Sequence, residues 1–254
     1  MNRDLKEIKE LLDYKSDQYN RPDFIEDDPI SIPHQFTRKE DIEIAGFITA
    51  IISWGQRKTI LNNATRLLKI MDYSPYDFVI NAGINDLNAF GSFKHRTFNG
   101  TDCIFFFQSL KNIYLNHGGL ENTFKSTDDK IKSSIANFRK VFFEIPYPAR
   151  SLKHIADPEA GAAAKRINMF LRWMVRKDNR GVDFGIWKTI HPSQLYCPLD
   201  IHTGNVARKL DLIARNQNDW KALEELMQHL RAFNPEDPVK YDYALFGMGV
   251  FEKF

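Results

Sequence analysis

Apolar side chains recur along this chain at helical spacing, and convincing runs of strict alternation are missing. In 41–52, Ile44, Phe47, Ile48 and Ile51 follow the i, i+3, i+4, i+7 rule that builds one face of a helix. The stretch "SWGQRK" interrupts that pattern at Gly55, and Ile60, Ala64, Leu67, Leu68 and Met71 resume it, which predicts two helices joined by a short connector. Residues 104–115, 128–143, 222–232 and 239–251 predict further helices. The opening "MNRDLKEIKELLDYKSD" is charged helix pattern rather than a signal peptide. The strongest helix is expected over 162–176, where Ile167, Phe170, Leu171, Met174 and Val175 form one stripe and "ADPE" with Gly161 supplies start signals. The expected class is therefore all-α. The expected arrangement is two helical lobes, with about 40–155 in one and 1–39 plus 156–254 in the other.

Composition narrows the partners. No apolar run approaches the roughly 20 residues of a membrane-spanning helix, so no membrane contact is expected and the cytoplasm is the default location. The two cysteines, Cys103 and Cys197, lie far apart without partners at metal spacing. A disulfide framework, a zinc site and a four-cysteine cluster are disfavoured, and no metal or cofactor is expected. Net charge is only +2, yet Lys165, Arg166, Arg172, Arg176, Lys177 and Arg180 crowd 161–180 against Asp178 alone. Such a segment suits an anionic partner such as nucleic acid, or equally a solvated helix face.

In "YCPLDIHTGNVARKL", Asp200 stands immediately before a predicted helix. An aspartate there commonly caps the helix, its carboxylate accepting hydrogen bonds from the first backbone N–H groups. The same helix field keeps the carboxylate ionised, and an ionised carboxylate in a cleft can stabilise a developing cation. Residue type and position leave both roles open.

Four blocks in order resemble one superfamily. "PLDIHTGNVARKL" is similar to the "V-D-T-H-V-x-R-V" segment of the helix-hairpin-helix DNA glycosylases, matching Asp200, His202, Thr203, Val206 and Arg208 with His202 and Thr203 exchanged. "FITAIISWGQRKTILNNATRLL" resembles their "L-L-S-A-Q-T-x-D-x-x-V-N" block, aligning Ser53 and Gln56. "GAAAKRINMFLRWMV" stands where those enzymes carry "G-V-G-R-K-T-A", and "YDYALFGMGV" resembles the helix that precedes their iron–sulfur cysteines. The hairpin glycines are replaced by "DPEAGAAAK", and Lys165 precedes Asp200 by 200 − 165 = 35 residues, an interval like that of the archaeal 8-oxoguanine glycosylases. The chain is also similar to a bacterial family without an assigned activity.

The resemblance implies a two-lobed glycosylase fold acting on duplex DNA with an extruded base. It implies Asp200 as the catalytic carboxylate and Lys165 as the nucleophile of a Schiff base. Gln56 would reach the DNA near the extruded base, and Arg57, Lys58, His95, Arg96, Arg166, His202 and Arg208 are candidate DNA contacts. Each has an ordinary alternative. Lys165 could be a surface residue, Gln56 a connector, and "FKHRTFNGTD" a loop shaped by Asn99–Gly100 turn chemistry. Trp173 and Trp187 suit core packing better than base stacking. At the level of function the alternative is a non-catalytic nucleic-acid-binding protein with the same fold.

Overall fold

The computed structural model describes residues 4–126, 128 and 130–254. It is mostly helical. In chain order the helices are α1 (Leu5–Tyr19), α2 (Asp23–Asp27), α3 (Lys39–Ile52), α4 (Arg57–Ile70), α5 (Pro75–Asn81), α6 (Ile84–Asn88) and α7 (Gly100–Asn116). They continue as α8 (Leu120–Thr123), α9 (Ile131–Phe142), α10 (Lys165–Val175), α11 (Ile201–Lys209), α12 (Trp220–Phe233) and α13 (Tyr241–Val250). The helix expected over 128–143 begins at Ile131, and Asp129 lies outside the described residues. Among the described residues, no helix is long and apolar enough to cross a membrane.

The chain forms two compact units: a mid-chain unit, Glu26–Ala156, and a terminal unit made of Met1–Ile25 and Asp157–Phe254. The segment 26–39, expected with the chain termini, belongs to the mid-chain unit. Ile30, Ile32 and Pro33 are buried there in two short 3₁₀ turns that pack on α3.

In the mid-chain unit every residue from Ile42 to Ile52 of α3 is buried, so this helix forms the core. A helix apolar on all sides requires neighbours on all sides. Phe47 meets Phe106, Phe138 and Phe142 at ring separations of 6.2, 5.5 and 5.6 Å, within the range of favourable aromatic pairing. The single buried acid on α3, Glu43, accepts the Tyr114 hydroxyl at 2.7 Å. The stretch read as a loop at 93–102 is instead a tight hairpin, β1 (Lys94–His95) with β2 (Phe98–Asn99), turning at Arg96 with φ 54°. Asn99 does not make the turn. It caps α7 through Asp102 N at 3.3 Å, while Asp102 returns a bond to Asn99 N at 3.0 Å.

In the terminal unit α13 packs between α1 and α11. Gly247 makes the first contact possible, because a Cβ there would lie 2.2 Å from the Tyr19 ring. Gly249 does the same for α11, with His202 atoms 3.0–3.2 Å from its would-be Cβ. Trp173 and Trp187 are core residues, each at most 1% exposed.

Candidate functional site

The terminal unit brings Lys165 and Asp200 together. Helix α10 starts at Lys165, three residues later than the apolar pattern predicts, because Ala164 adopts the left-handed conformation at φ 49°, ψ 38°. The chain before it is a turn built by Asp157, whose carboxylate accepts from Glu159 N at 3.0 Å and Ala160 N at 3.3 Å. Gly161 lies at φ +90° in that turn, a conformation glycine adopts without cost. Asn168, one turn into α10, donates to Ala163 O at 2.9 Å and fixes the left-handed step. The Lys165 side chain thereby emerges from the first turn of a helix, 31% exposed.

Asp200 occupies the N-cap of α11, as expected. Its Oδ1 accepts from Thr203 N at 2.9 Å, and its Oδ2 lies 3.6 Å from Lys165 Nζ. The two oxygens thus have separate tasks: one closes the helix, the other faces the amine. The Asp200 backbone is held as well, its carbonyl accepting from Asn218 Nδ2 at 2.8 Å. Arg208 braces that asparagine through Nη2 at 2.6 Å and the Arg215 carbonyl through Nε at 2.7 Å. Gly204 leaves room for them, since a Cβ would lie 2.6 Å from Asn218 Oδ1. Arg208 therefore acts first as a brace behind Asp200. His202 is exposed on α11, and Arg166 is half-buried, where desolvation pushes its guanidinium down to about 10.

Two arginines of the basic segment are buried in ion pairs rather than exposed on a helix face. Arg172 and Arg176 are 4% and 2% exposed. Arg172 Nε meets Asp183 at 3.2 Å and its Nη1 meets Asp242. Arg176 reaches Asp183 at 3.0 Å, Asp237 at 2.9 Å and Asp178 at 2.9 Å. Tyr243 donates its hydroxyl to Asp183 at 2.9 Å and lies under the Arg172 guanidinium, 4.5 Å from ring centre to Cζ. Arg180 ion-pairs with Asp17 at 2.5 Å. The composition of 161–180 suggests an anion-binding face. Apart from Asp178, the acids that neutralise it arrive from Asp17, Asp183, Asp237 and Asp242, beyond the window in which charge clustering is visible.

Asp183, Asp237 and Asp242 were all missed by the sequence reading, and Asp242 is the one that adjoins the candidate site. Its Oδ1 lies 3.4 Å from the Cys197 thiol, and Oδ2 binds Arg172. Burial pushes the Asp242 carboxyl up to about 6, against the pull of Arg172 and the thiol, with Asp200 adding to the rise and Lys165 opposing it. Burial and the neighbouring Asp242 carboxylate hold the Cys197 thiol well above its ordinary range. An acid in "YDYALFGMGV", amid apolar residues, was the available signal.

The other expected contacts lie in the mid-chain unit. Gln56 is the N-cap residue of α4 and is exposed, with Arg57 half-buried and Lys58 exposed beside it. The exposed Arg96 side chain lies along Gly55, where a Cβ would stand 3.0 Å from Nη1. His95 corrects the expectation of a DNA contact. It is 1% exposed, its Nδ1 is 2.8 Å from Asn63 Nδ2, and its Nε2 is 3.0 Å from the Trp54 carbonyl. Both ring nitrogens are thus engaged inside the unit, and the ring ties the Trp54 carbonyl to Asn63 of α4 rather than facing solvent. Among the described residues, no group of three or more His, Cys, Asp or Glu side chains is placed to hold a metal ion.

These elements define a helical protein whose candidate site is a lysine–aspartate pair within Coulomb range of a buried ion network. The chain belongs to a family described as a protein of unknown function (DUF2400), whose sequence model matches residues 28–251. No curated protein and no solved structure matches it.

Proposed function

We propose that this chain is a DNA glycosylase-like enzyme that releases a damaged or modified base from duplex DNA and nicks the resulting abasic strand through Lys165. The observation that carries this reading is the 3.6 Å approach of Lys165 Nζ to Asp200 Oδ2 at two helix starts. The four sequence blocks in glycosylase order support it. An enzyme of this kind extrudes the nucleotide before cleaving it. Ionised Asp200 then faces the positive charge that develops on the sugar as the glycosidic bond breaks.

In the lyase branch the ammonium must first lose its proton, for which Asp200 Oδ2 is the nearby acceptor. The neutral amine bonds to C1′ while the glycosidic electron pair leaves with the base, which takes up a proton from solvent. Transfer of one N–H proton to the ring oxygen O4′ and opening of the C1′–O4′ bond then give the protonated Schiff base. Loss of a C2′ proton then expels the 3′ phosphate. Gln56, Arg57, Lys58 and Arg96 are the DNA contacts proposed for the mid-chain unit, and Arg166 and His202 those for the terminal unit.

Borohydride trapping on duplexes carrying an abasic site, or an oxidised, deaminated or alkylated base, tests the reading. The expected result is a covalent adduct absent in Lys165→Ala, with base release lost in Asp200→Asn. Neither adduct nor base release on any duplex, with DNA binding retained, would replace the enzyme by a nucleic-acid-binding protein. Loss of binding as well would remove DNA altogether.

A further inference from the structure

Lys165 and Asp200 are delivered by different parts of the terminal unit, the start of α10 and the segment that leads into α11. Both carriers are anchored to one side chain. Arg172, seven residues after Lys165 and so on the same face of α10, binds Asp242 Oδ2. Cys197, three residues before Asp200, points its thiol at Asp242 Oδ1, 3.4 Å away. The same short segment is held from behind by Cys197 N on Met227 Sδ at 3.3 Å. Asp242 sits in the first turn of α13, 4% exposed.

We propose that Asp242 is a positioning residue of the Lys165–Asp200 site, tying the helix that bears the lysine to the segment that bears the aspartate and setting, by its own charge, how readily the amine releases a proton. The nucleophilic role of Lys165 is the part that rests on the proposed function; the tie and the charge coupling do not. The charged and titratable groups around Asp242 are Arg172 and Lys165 from α10, and Cys197 and Asp200 from the segment before α11. Asp183 faces it from beyond Arg172, and Tyr243 OH is occupied by Asp183. When Asp242 is ionised, its charge favours the ammonium form of Lys165. When it takes up a proton, Arg172 is less compensated and the neutral amine gains.

The test is an NMR titration of the full chain with its lysines ¹³C-dimethylated, the Lys165 resonance being identified by its loss in Lys165→Arg. In Asp242→Asn, which keeps the shape of the side chain and one of its two accepting oxygens, the Lys165 midpoint is expected lower than in the wild-type chain. In the wild-type chain the same resonance should carry a second inflection near pH 6, where Asp242 titrates. An unchanged Lys165 midpoint in Asp242→Asn overturns the proposal. If that variant does not fold, absence of the wild-type inflection between about pH 5 and 7 overturns it instead. The trapping assay is scored separately. An adduct with an indifferent Lys165 resonance sinks this inference alone, and a responsive resonance with neither adduct nor base release sinks the proposed function alone.

Discussion

Replacing Arg172 by methionine removes the guanidinium while roughly keeping the length and apolar stem of the side chain. Asp183 keeps Arg176 and the Tyr243 hydroxyl, so its charge stays compensated. Among the described residues, Asp242 keeps the Cys197 thiol as its one side-chain hydrogen-bond partner. Removing one side of a buried ion pair costs about 3–5 kcal/mol, because the remaining charge is stranded. The cost must depend on pH. In the native protein the Asp242 carboxyl already stands at about 6 against 3.8 in the open chain, so the folded state binds this proton more tightly. Its contribution to stability is present below about pH 4 and lost as pH rises through about 6. Without Arg172 the carboxyl moves higher still, and the loss continues to higher pH. The penalty of Arg172→Met should therefore be smaller at pH 5 than at pH 8. The difference reaches about 3 kcal/mol if the variant holds its proton through the roughly two pH units above the native midpoint. Urea unfolding followed by tryptophan fluorescence measures it. In a Trp54→Phe background the remaining reporters, Trp173, Trp187 and Trp220, all lie in the terminal unit. An equal penalty at pH 5 and pH 8, or a larger one at pH 5, would refute the assignment of Asp242 as the stranded charge.

Asp200→Asn should cost under about 0.5 kcal/mol in urea unfolding, because asparagine caps as well as aspartate, whereas Asp200→Ala should lose about 1 kcal/mol. Both should lack base release in the trapping assay, and full activity in Asp200→Asn would leave the carboxylate with capping alone. Ala164→Gly should raise stability by about 1 kcal/mol, since φ 49° carries a Cβ penalty that glycine escapes; a loss in thermal melting would contradict the strain. Gly247→Ala should destabilise the α1–α13 contact by about 1–3 kcal/mol, the cost of forcing the Tyr19 ring aside from 2.2 Å, and an unchanged melting temperature would show that the ring yields freely.

Where a side chain's environment is set within one or two turns, the sequence was legible. The apolar stripes of α4 and α10, the core position of Trp173 on the second, and the cap at Asp200 all depend on neighbours three or four residues away, whereas Trp187 lies outside the helices and is held by the Phe170 ring and the Met174 carbonyl. The start of α10 was not legible, because the left-handed Ala164 is held by Asn168 and by the preceding Asp157 turn rather than by its own preference. His95 was misread for a similar reason. A histidine in a polar run resembles a surface group until Asn63 and the Trp54 carbonyl, distant in sequence, claim both ring nitrogens.

Hydrophobic periodicity is a local property of the backbone repeat, so it already marks the chain as helical and gives the inward faces of helices such as α4 and α10. The sequence by itself also nominated Lys165 and Asp200 as residues to consider together. Tertiary structure alone decided that Arg172 and Arg176 are internal ions and that Asp242 joins the carriers of Lys165 and Asp200. The reason is physical. A buried charge is tolerated only when a counter-charge lies within a few ångströms, and folding, not sequence proximity, brings residues 172, 197 and 242 to that distance.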